Sequence, residues 1–249
     1  MIQTHSNFDK RLTHELEHGR WIADRGEEIW NWSSSAGKLR WARRVALFRG
    51  LLSGPRGQVL EIGCGTGLFT AELVSTGQQI IAIDISPDLL VHARKRVTDD
   101  NVLFALENAY ATTFPDAFFD IIVGSSCLHH LDLKMALREF YRLLKPGGKM
   151  MFTEPNMLNP QILLQKNIPW LKRMAGDSPD ETAFIRFTLE QRIRDAGFSQ
   201  ISIKPFDFVH PALPTFILSL AVPLLNSIEK IPSLCEFAGS LHIKAVKQA

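Results

Sequence analysis

Gln58-Val59-Leu60-Glu61-Ile62-Gly63-Cys64-Gly65-Thr66-Gly67-Leu68-Phe69-Thr70 is a short apolar run that ends in three glycines spaced two apart and passes into a helical pattern. It reads as strand, tight loop, helix. Glycine leaves room for a ligand to reach the backbone, and it accepts positive φ at almost no steric cost. The first amides of the following helix lack partners within it and carry partial positive charge, which suits a phosphate or an amino-acid carboxylate. The same turn also serves in plain strand-to-helix connections, so its meaning depends on its surroundings.

Downstream, Gly77 closes the first helix, and Gln79-Ile80-Ile81-Ala82-Ile83-Asp84-Ile85 is a second apolar run with its only charge near its end. That pattern predicts a buried parallel strand with a carboxylate at its C-terminal tip. Asp84 lies about twenty residues beyond the glycine loop, the separation at which an acid reaches the ribose hydroxyls of an adenosine cofactor.

With these elements in place, Glu61-Ile62-Gly63-Cys64-Gly65-Thr66-Gly67 resembles the first motif of the class I S-adenosylmethionine-dependent methyltransferases, which has an acid just before the loop and GxGxG spacing. Leu68 stands where the GxGxxG form of dinucleotide dehydrogenases has glycine. The likeness covers roughly residues 45–151, is weaker on the flanks, and points to the small-molecule methyltransferases of quinone and polyketide pathways. It implies an α/β fold: a Rossmann-like, doubly wound, seven-stranded sheet with an antiparallel last strand, plus N-terminal helices and helical insertions that form a lid. It also implies S-adenosyl-L-methionine as cofactor, held by Glu61, Gly63, Gly65, Asp84 and Asn108. Cys64, Gly67, Ile85 and Ala109 line its site, and Ser125 lies near the methionine end.

The bulk numbers agree with one domain carrying insertions. A chain of 249 residues with 45% hydrophobic content buries a sizeable core. A net charge of +2 gives no global electrostatic case for nucleic acid. Cys64, Cys127 and Cys235 are far apart in sequence and show neither CxxC nor Cys/His ligand spacing, so neither a disulfide framework nor a metal site is expected, and a reducing cytoplasm fits. The first twenty residues are polar and His-rich and read as no signal peptide. No apolar run reaches the roughly 18–20 residues of a membrane-spanning helix.

Residues 1–57 form a helical segment expected to cover the cofactor site, and residues 58–249 form the methyltransferase core with lid insertions at 156–187 and 209–239. Trp41, Val45, Phe48 and Leu52 make an apolar helical stripe, flanked by Arg40, Arg43 and Arg44. By the resemblance, an arginine here, Arg40 being the candidate, pairs with the methionine carboxylate. A plain solvated basic face remains an alternative.

Ser86-Pro87-Asp88 starts a helix, with Ser86 as N-cap and Pro87 in its first position. A third strand over 101–107 ends at Asn108-Ala109, where the family reads the adenine ring. Glu107 takes that role if the register slips by one. A fourth strand from Phe119 runs into Cys127-Leu128-His129-His130-Leu131. Strand ends on this edge face the ligand crevice, which makes His129 and His130 candidate proton acceptors, one facing the site and the other structural. Asp132 caps the next helix. Leu144-Lys145-Pro146-Gly147-Gly148 resembles the family's LKPGG turn, and strand five follows from Gly148 with Glu154 at its tip, a third candidate catalytic group. Thr188-Leu189-Glu190-Gln191 reads as a capping box.

The second insertion contains a long apolar run, residues 213–225, with three open readings: ordinary core, the wall of a greasy substrate pocket, or contact at a membrane surface. Together the insertions point to a small, apolar acceptor methylated on oxygen or carbon, with no nucleic acid, no metal and no transmembrane segment. Two alternatives stay open: a nicotinamide-dependent oxidoreductase and a non-catalytic S-adenosylmethionine-binding module.

Overall fold

The computed structural model describes residues 2–248 apart from 24, 26, 27 and 29; the side chains of residues 2–9 are outside the description. Two helices, α1 (Ile2–Ala23) and α2 (Ser35–Leu52), precede the core. The first half of the core is β1 (Gln58–Ile62), α3 (Leu68–Leu73), β2 (Gln79–Asp84), α4 (Pro87–Arg96) and β3 (Val102–Leu106). The second half is β4 (Phe119–Ser125), α5 (Leu133–Leu143), β5 (Leu144–Pro155), α6 (Pro160–Asn167), α7 (Pro169–Met174), α8 (Arg186–Asp195), β6 (Phe198–Phe206), α9 (Thr215–Ile228), α10 (Pro232–Cys235) and β7 (Ser240–Lys247).

The seven strands form one sheet in the order β3-β2-β1-β4-β5-β7-β6. The pairs among β3, β2, β1, β4 and β5 are parallel, and β7 runs antiparallel to both β5 and β6. This is the Rossmann-like sheet with an antiparallel last strand that the resemblance implied. The strand order reverses between β1 and β4, and ligands in open α/β sheets bind at such a switch point.

Apolar side chains fill both faces. Val45, Phe48 and Leu52 of α2 pack with Phe69, Leu73, Leu90 and Ala93 over one face. Leu137 and Phe140 of α5 pack with Leu189 and Ile193 of α8 over the other. Phe48, Phe119, Phe140 and Phe152 are fully buried, and each stabilises the fold by roughly 1.5–3 kcal/mol relative to exposure.

The helix starts follow local chemistry. Ser86 Oγ accepts from the Leu89 amide and Asp132 Oδ1 from the Met135 amide, each satisfying an orphan donor.

Three expectations are corrected. Strand five opens at Leu144, not Gly148, because Leu144 pairs with Phe119 across a register shift and Gly147, at φ 74°, turns the chain back into the ladder. Thr188 caps nothing: α8 already begins at Arg186, and the Thr188 hydroxyl donates to the Ile185 carbonyl from inside the helix. The apolar run 213–225 is not core, since α9 has no buried residue and Phe216 and Leu220 are 82% and 81% exposed. Nor does it wall the cavity, whose lining from this insertion is Val209 to Ala212 and Gly239, outside the run. Among the described residues no helix is long and apolar enough to cross a membrane.

Candidate active site

Gly63, Gly65 and Gly67 all sit in the left-handed region, at φ 64°, 55° and 77°, as a turn with side chains would resist. A Cβ on Gly63 would meet Cys127 Cβ at 2.8 Å, so this glycine lets the loop after β4 approach. A Cβ on Gly65 would project into open space on the cavity side. Gly67 is different: its Cβ would lie 3.0 Å from Ala93 Cα, so it serves close packing of α4 and does not line the cavity.

Asp84 ties this loop to the second strand. Its Oδ2 accepts from the Gly65 amide at 2.8 Å and its Oδ1 from the Ser86 amide at 2.9 Å. Burial raises its pKa, against the lowering by those two amides, and the carboxylate still lines the cavity beside Ile85. Glu61 lies beneath the loop, 1% exposed and outside the lining, with Oε2 lacking a hydrogen-bond partner. Burial, with Asp84 nearby, pushes its pKa up to about 8. Cys64 lines the cavity as a buried thiol whose pKa burial pushes well above its usual value, which makes it a wall and not a nucleophile.

At the far end, Asn108 and Ala109 line the cavity, and Asn108 Oδ1 accepts from the Tyr110 amide at 3.0 Å. The Glu107 carboxylate is engaged by the hydroxyl and amide of Thr113. At the β4 tip, Ser125 Oγ accepts from Thr153 Oγ1 and from Arg44 Nη1, each at 3.2 Å.

The arginine expectation divides in the structure. Arg40 lines the cavity, but its Nε donates to Asp207 Oδ2 at 2.8 Å. Arg44 lines it too and is buried, and its side-chain hydrogen-bond partners are all hydroxyls, those of Ser125, Ser126 and Ser240, with Nε unpartnered. Burial, reinforced by Arg40, lowers its pKa to about 10.

The histidines sit on the turn after β4, where Glu154 organises them. Glu154 is fully buried and does not line the cavity: its Oε1 accepts from the Cys127 and Leu128 amides at 3.0 and 2.9 Å, and its Oε2 lies 2.6 Å from His129 Nδ1. Its place is behind His129, as a positioning residue. His129 Nε2 lies 3.3 Å from Glu181 Oε1. Burial opposes protonation of this imidazole, but Glu154 and Glu181 outweigh it and raise the pKa to about 9. Both histidines line the cavity, so the expected division into one facing and one structural ring does not hold. His130 Nδ1 stands 2.9 Å from Glu15 Oε2 of α1.

Sequence reasoning missed Glu15, Lys166, Asp177 and Glu181. Lys166 Nζ lies 2.9 Å from Asp177 Oδ2 and pairs with Glu181, all three side chains being buried. Lys166, Asp177 and Glu181 fall in the first insertion and Glu15 in the first helix, and no sequence signal says that these charges turn inward.

These groups share one cavity of about 660 Å³, running from the glycine loop past the β4 tip to the histidines. Its walls come from α1 and α2 (Leu12, Ile22, Trp41), from the first insertion (Ile162), from Phe208 and from the second insertion (Val209).

A methyltransferase domain model matches residues 60–152. A ubiquinone/menaquinone biosynthesis C-methyltransferase from Vibrio campbellii is 30% identical over 226 residues, covering 78% of this chain and 86% of that protein. The chain belongs to the class I S-adenosylmethionine-dependent methyltransferases. A second methyltransferase of the same printed function, from Pectobacterium carotovorum, is 38% identical over 105 residues, 39% of this chain but only 42% of that protein's length. Among solved structures, a Haemonchus contortus phosphoethanolamine N-methyltransferase with S-adenosyl-L-methionine superposes with TM-score 0.63 at 20% identity, covering 93% of this chain and 60% of that one. An S-adenosylmethionine-dependent methyltransferase from Archaeoglobus fulgidus gives TM-score 0.62 at 21% identity, covering 89% and 97%. At these identities the structural likeness concerns the methyltransferase fold alone.

The cofactor of this methyltransferase is S-adenosyl-L-methionine, and three features of the chain fit it. Gly65 leaves open space at the loop, Asp84 presents a carboxylate to the cavity, and Arg44 is a buried cation without a carboxylate on it.

Proposed function

We propose that this enzyme methylates a ring carbon of a small, apolar, hydroxylated acceptor of quinol type. The observation that carries this reading is the single apolar-walled cavity joining the glycine loop to His129 and His130. The names of the relatives support it: a ubiquinone/menaquinone biosynthesis C-methyltransferase and a demethylmenaquinone methyltransferase. No observation favours a nicotinamide cofactor or a non-catalytic role.

When bound, S-adenosylmethionine supplies a sulfonium methyl group that passes by in-line displacement to the acceptor. In our reading the chain positions the two partners and excludes water, which contributes on the order of 7–11 kcal/mol to lowering the barrier. Asp84 grips the ribose hydroxyls, the Gly63–Gly65 backbone lies along the methionine, and Asn108 with Ala109 borders the adenine. Arg44, more than Arg40, takes the methionine carboxylate, because Asp207 already neutralises Arg40. His130 takes the acceptor's hydroxyl proton. His129, held by Glu154, presents positive charge to the oxyanion left behind. The ring carbon bonds to the methyl group as the carbon–sulfur bond breaks to leave neutral S-adenosylhomocysteine. The proton on that carbon is then lost while His130 returns its proton to the oxygen and the ring regains its aromaticity. The helices before β1 and the two insertions enclose both ligands.

Two measurements check this. Purified enzyme given methyl-labelled donor and a demethylated quinol transfers label to an organic-soluble product. His130→Ala lowers kcat by about 10²–10⁴-fold while S-adenosylhomocysteine still binds; full turnover in that variant removes His130 from the chemistry. Separately, Arg44→Leu weakens S-adenosylhomocysteine binding by more than about 100-fold, since a buried ion pair that loses one partner costs about 3–5 kcal/mol. Arg40→Leu weakens it far less. The reverse order in a calorimetric titration returns the carboxylate to Arg40.

A further inference from the structure

We propose that His129, His130 and Glu181 bind one divalent first-row transition-metal ion at the acceptor end of the cavity. Whether the ion binds is independent of the methyl-transfer reading; what it does with the acceptor rests on that reading.

One nitrogen from each imidazole and one oxygen of Glu181 lie within 4.8 Å of one another. Metal–nitrogen and metal–oxygen bonds of about 2.0–2.2 Å close around a single ion from there with less than about 1 Å of movement by each side chain. One of the rings is already aimed. Histidines that ligate metals almost always give their other ring nitrogen to a carboxylate or carbonyl. Here His129 Nδ1 lies 2.6 Å from Glu154, which is anchored by the amides of Cys127 and Leu128, so Nε2 is left facing Glu181. His130 Nδ1 lies 2.9 Å from Glu15. His129 is thus oriented by its hydrogen bond to Glu154, His130 has Glu15 beside a ring nitrogen that lacks a hydrogen-bond partner, and both rings meet a third carboxylate, Glu181.

Charge points the same way. Glu15, Glu154, Asp177 and Glu181 surround the pair, with side chains at most 14% exposed. Lys166, itself buried, answers two of them, Asp177 and Glu181. When the ion takes Glu181, Lys166 keeps Asp177 at 2.9 Å. In the metal-free protein the carboxylates hold a proton on His129, and an ion that displaces this proton meets the same negative surroundings.

The donor set selects the metal. Two imidazoles and one carboxylate suit zinc, iron(II), cobalt(II) or manganese(II) and leave coordination positions open, whereas magnesium and calcium prefer all-oxygen sites. An acceptor hydroxyl bound at an open position would be held in place beside the donor and acidified by the ion, as a metal acidifies bound water. In the metal-bound form both imidazoles are neutral ligands, so the ion itself takes over proton removal from His130 and charge stabilisation from His129, and the metal-free and metal-bound enzymes divide the work differently.

The test uses the full chain, stripped with chelator and titrated with Co²⁺ alone and with Zn²⁺ alone. One equivalent binds, and Co²⁺ develops visible d–d bands. His130→Ala and Glu181→Gln weaken binding by about 10–100-fold or more, the order seen even for supporting groups around a metal. Asp99→Ala, on the distant exposed surface, leaves binding unchanged. S-adenosylhomocysteine binding stays within threefold in each variant, which certifies the fold and separates failure here from failure of the cofactor reading; His130→Gln replaces His130→Ala if the alanine variant does not fold. Absence of stoichiometric binding by the folded, stripped protein overturns the proposal, and so does binding that both site variants leave within threefold.

Discussion

Replacing Asp84 with alanine lowers the affinity for S-adenosylhomocysteine by about 10²-fold or more. Two losses combine. A hydrogen bond to a charged group contributes about 1.5–3 kcal/mol, and a ribose diol makes two of them to one carboxylate, so about 3 kcal/mol is the low end. In addition, the amides of Gly65 and Ser86 lose their acceptor, and Gly65 is the position where the loop opens toward the cavity. Asp84→Asn keeps the shape and one oxygen, so its affinity falls between the two. Isothermal titration reads the effect; an alanine variant within threefold of the parent would mean that the ribose is held elsewhere.

Glu61→Gln stabilises the cofactor-free protein at alkaline pH by as much as a few kcal/mol. In the unfolded chain this carboxyl titrates in the ordinary range near 4.5, and in the folded chain burial pushes it up to about 8. Between those values the folded state binds more protons, so stability is fully present below about pH 4.5, falls as pH rises through 8, and levels off above it. Each pKa unit corresponds to about 1.36 kcal/mol, which bounds the effect from above. Glutamine cannot ionise, so the variant loses this slope. Denaturant titrations at pH 5, 7 and 9 measure it: the gap between parent and variant widens toward pH 9. Saturation with S-adenosylhomocysteine narrows the gap if the cofactor's ammonium group answers the Glu61 charge. A variant that is equally or less stable at pH 9 would place a cation near Glu61 in the free protein.

Much of the framework was legible because it rests on local rules. The apolar run of β1, the glycines that need positive φ, the Ser86 and Asp132 caps and the apolar spacing of α5 each act within a few residues. Where two local signals competed, sequence reading slipped: Leu144 fits both the stripe of α5 and the first rung of β5, and the pairing with Phe119 decides between them. Thr188 met the pattern of a capping box, yet the preceding Ile185 and Arg186 were already turning into the helix. The long apolar run of the second insertion left core, pocket wall and membrane-surface contact open by composition, because burial depends on what stands opposite, and α9 has no buried residue.

The same distinction separates the two ends of the cavity. By itself the sequence determined the sheet, the glycine loop, the carboxylate at the tip of β2 and the histidines after β4, because strand period, turn torsion and strand-end position are properties of short segments. Only the tertiary structure decided that Arg44 and not Arg40 lies free of a carboxylate, that Glu154 stands behind His129, and that Glu15, Lys166, Asp177 and Glu181 converge on the histidines. Those partners come from α1 and the first insertion, more than a hundred residues apart in the chain, and a charge's role there is set by the charge facing it across space.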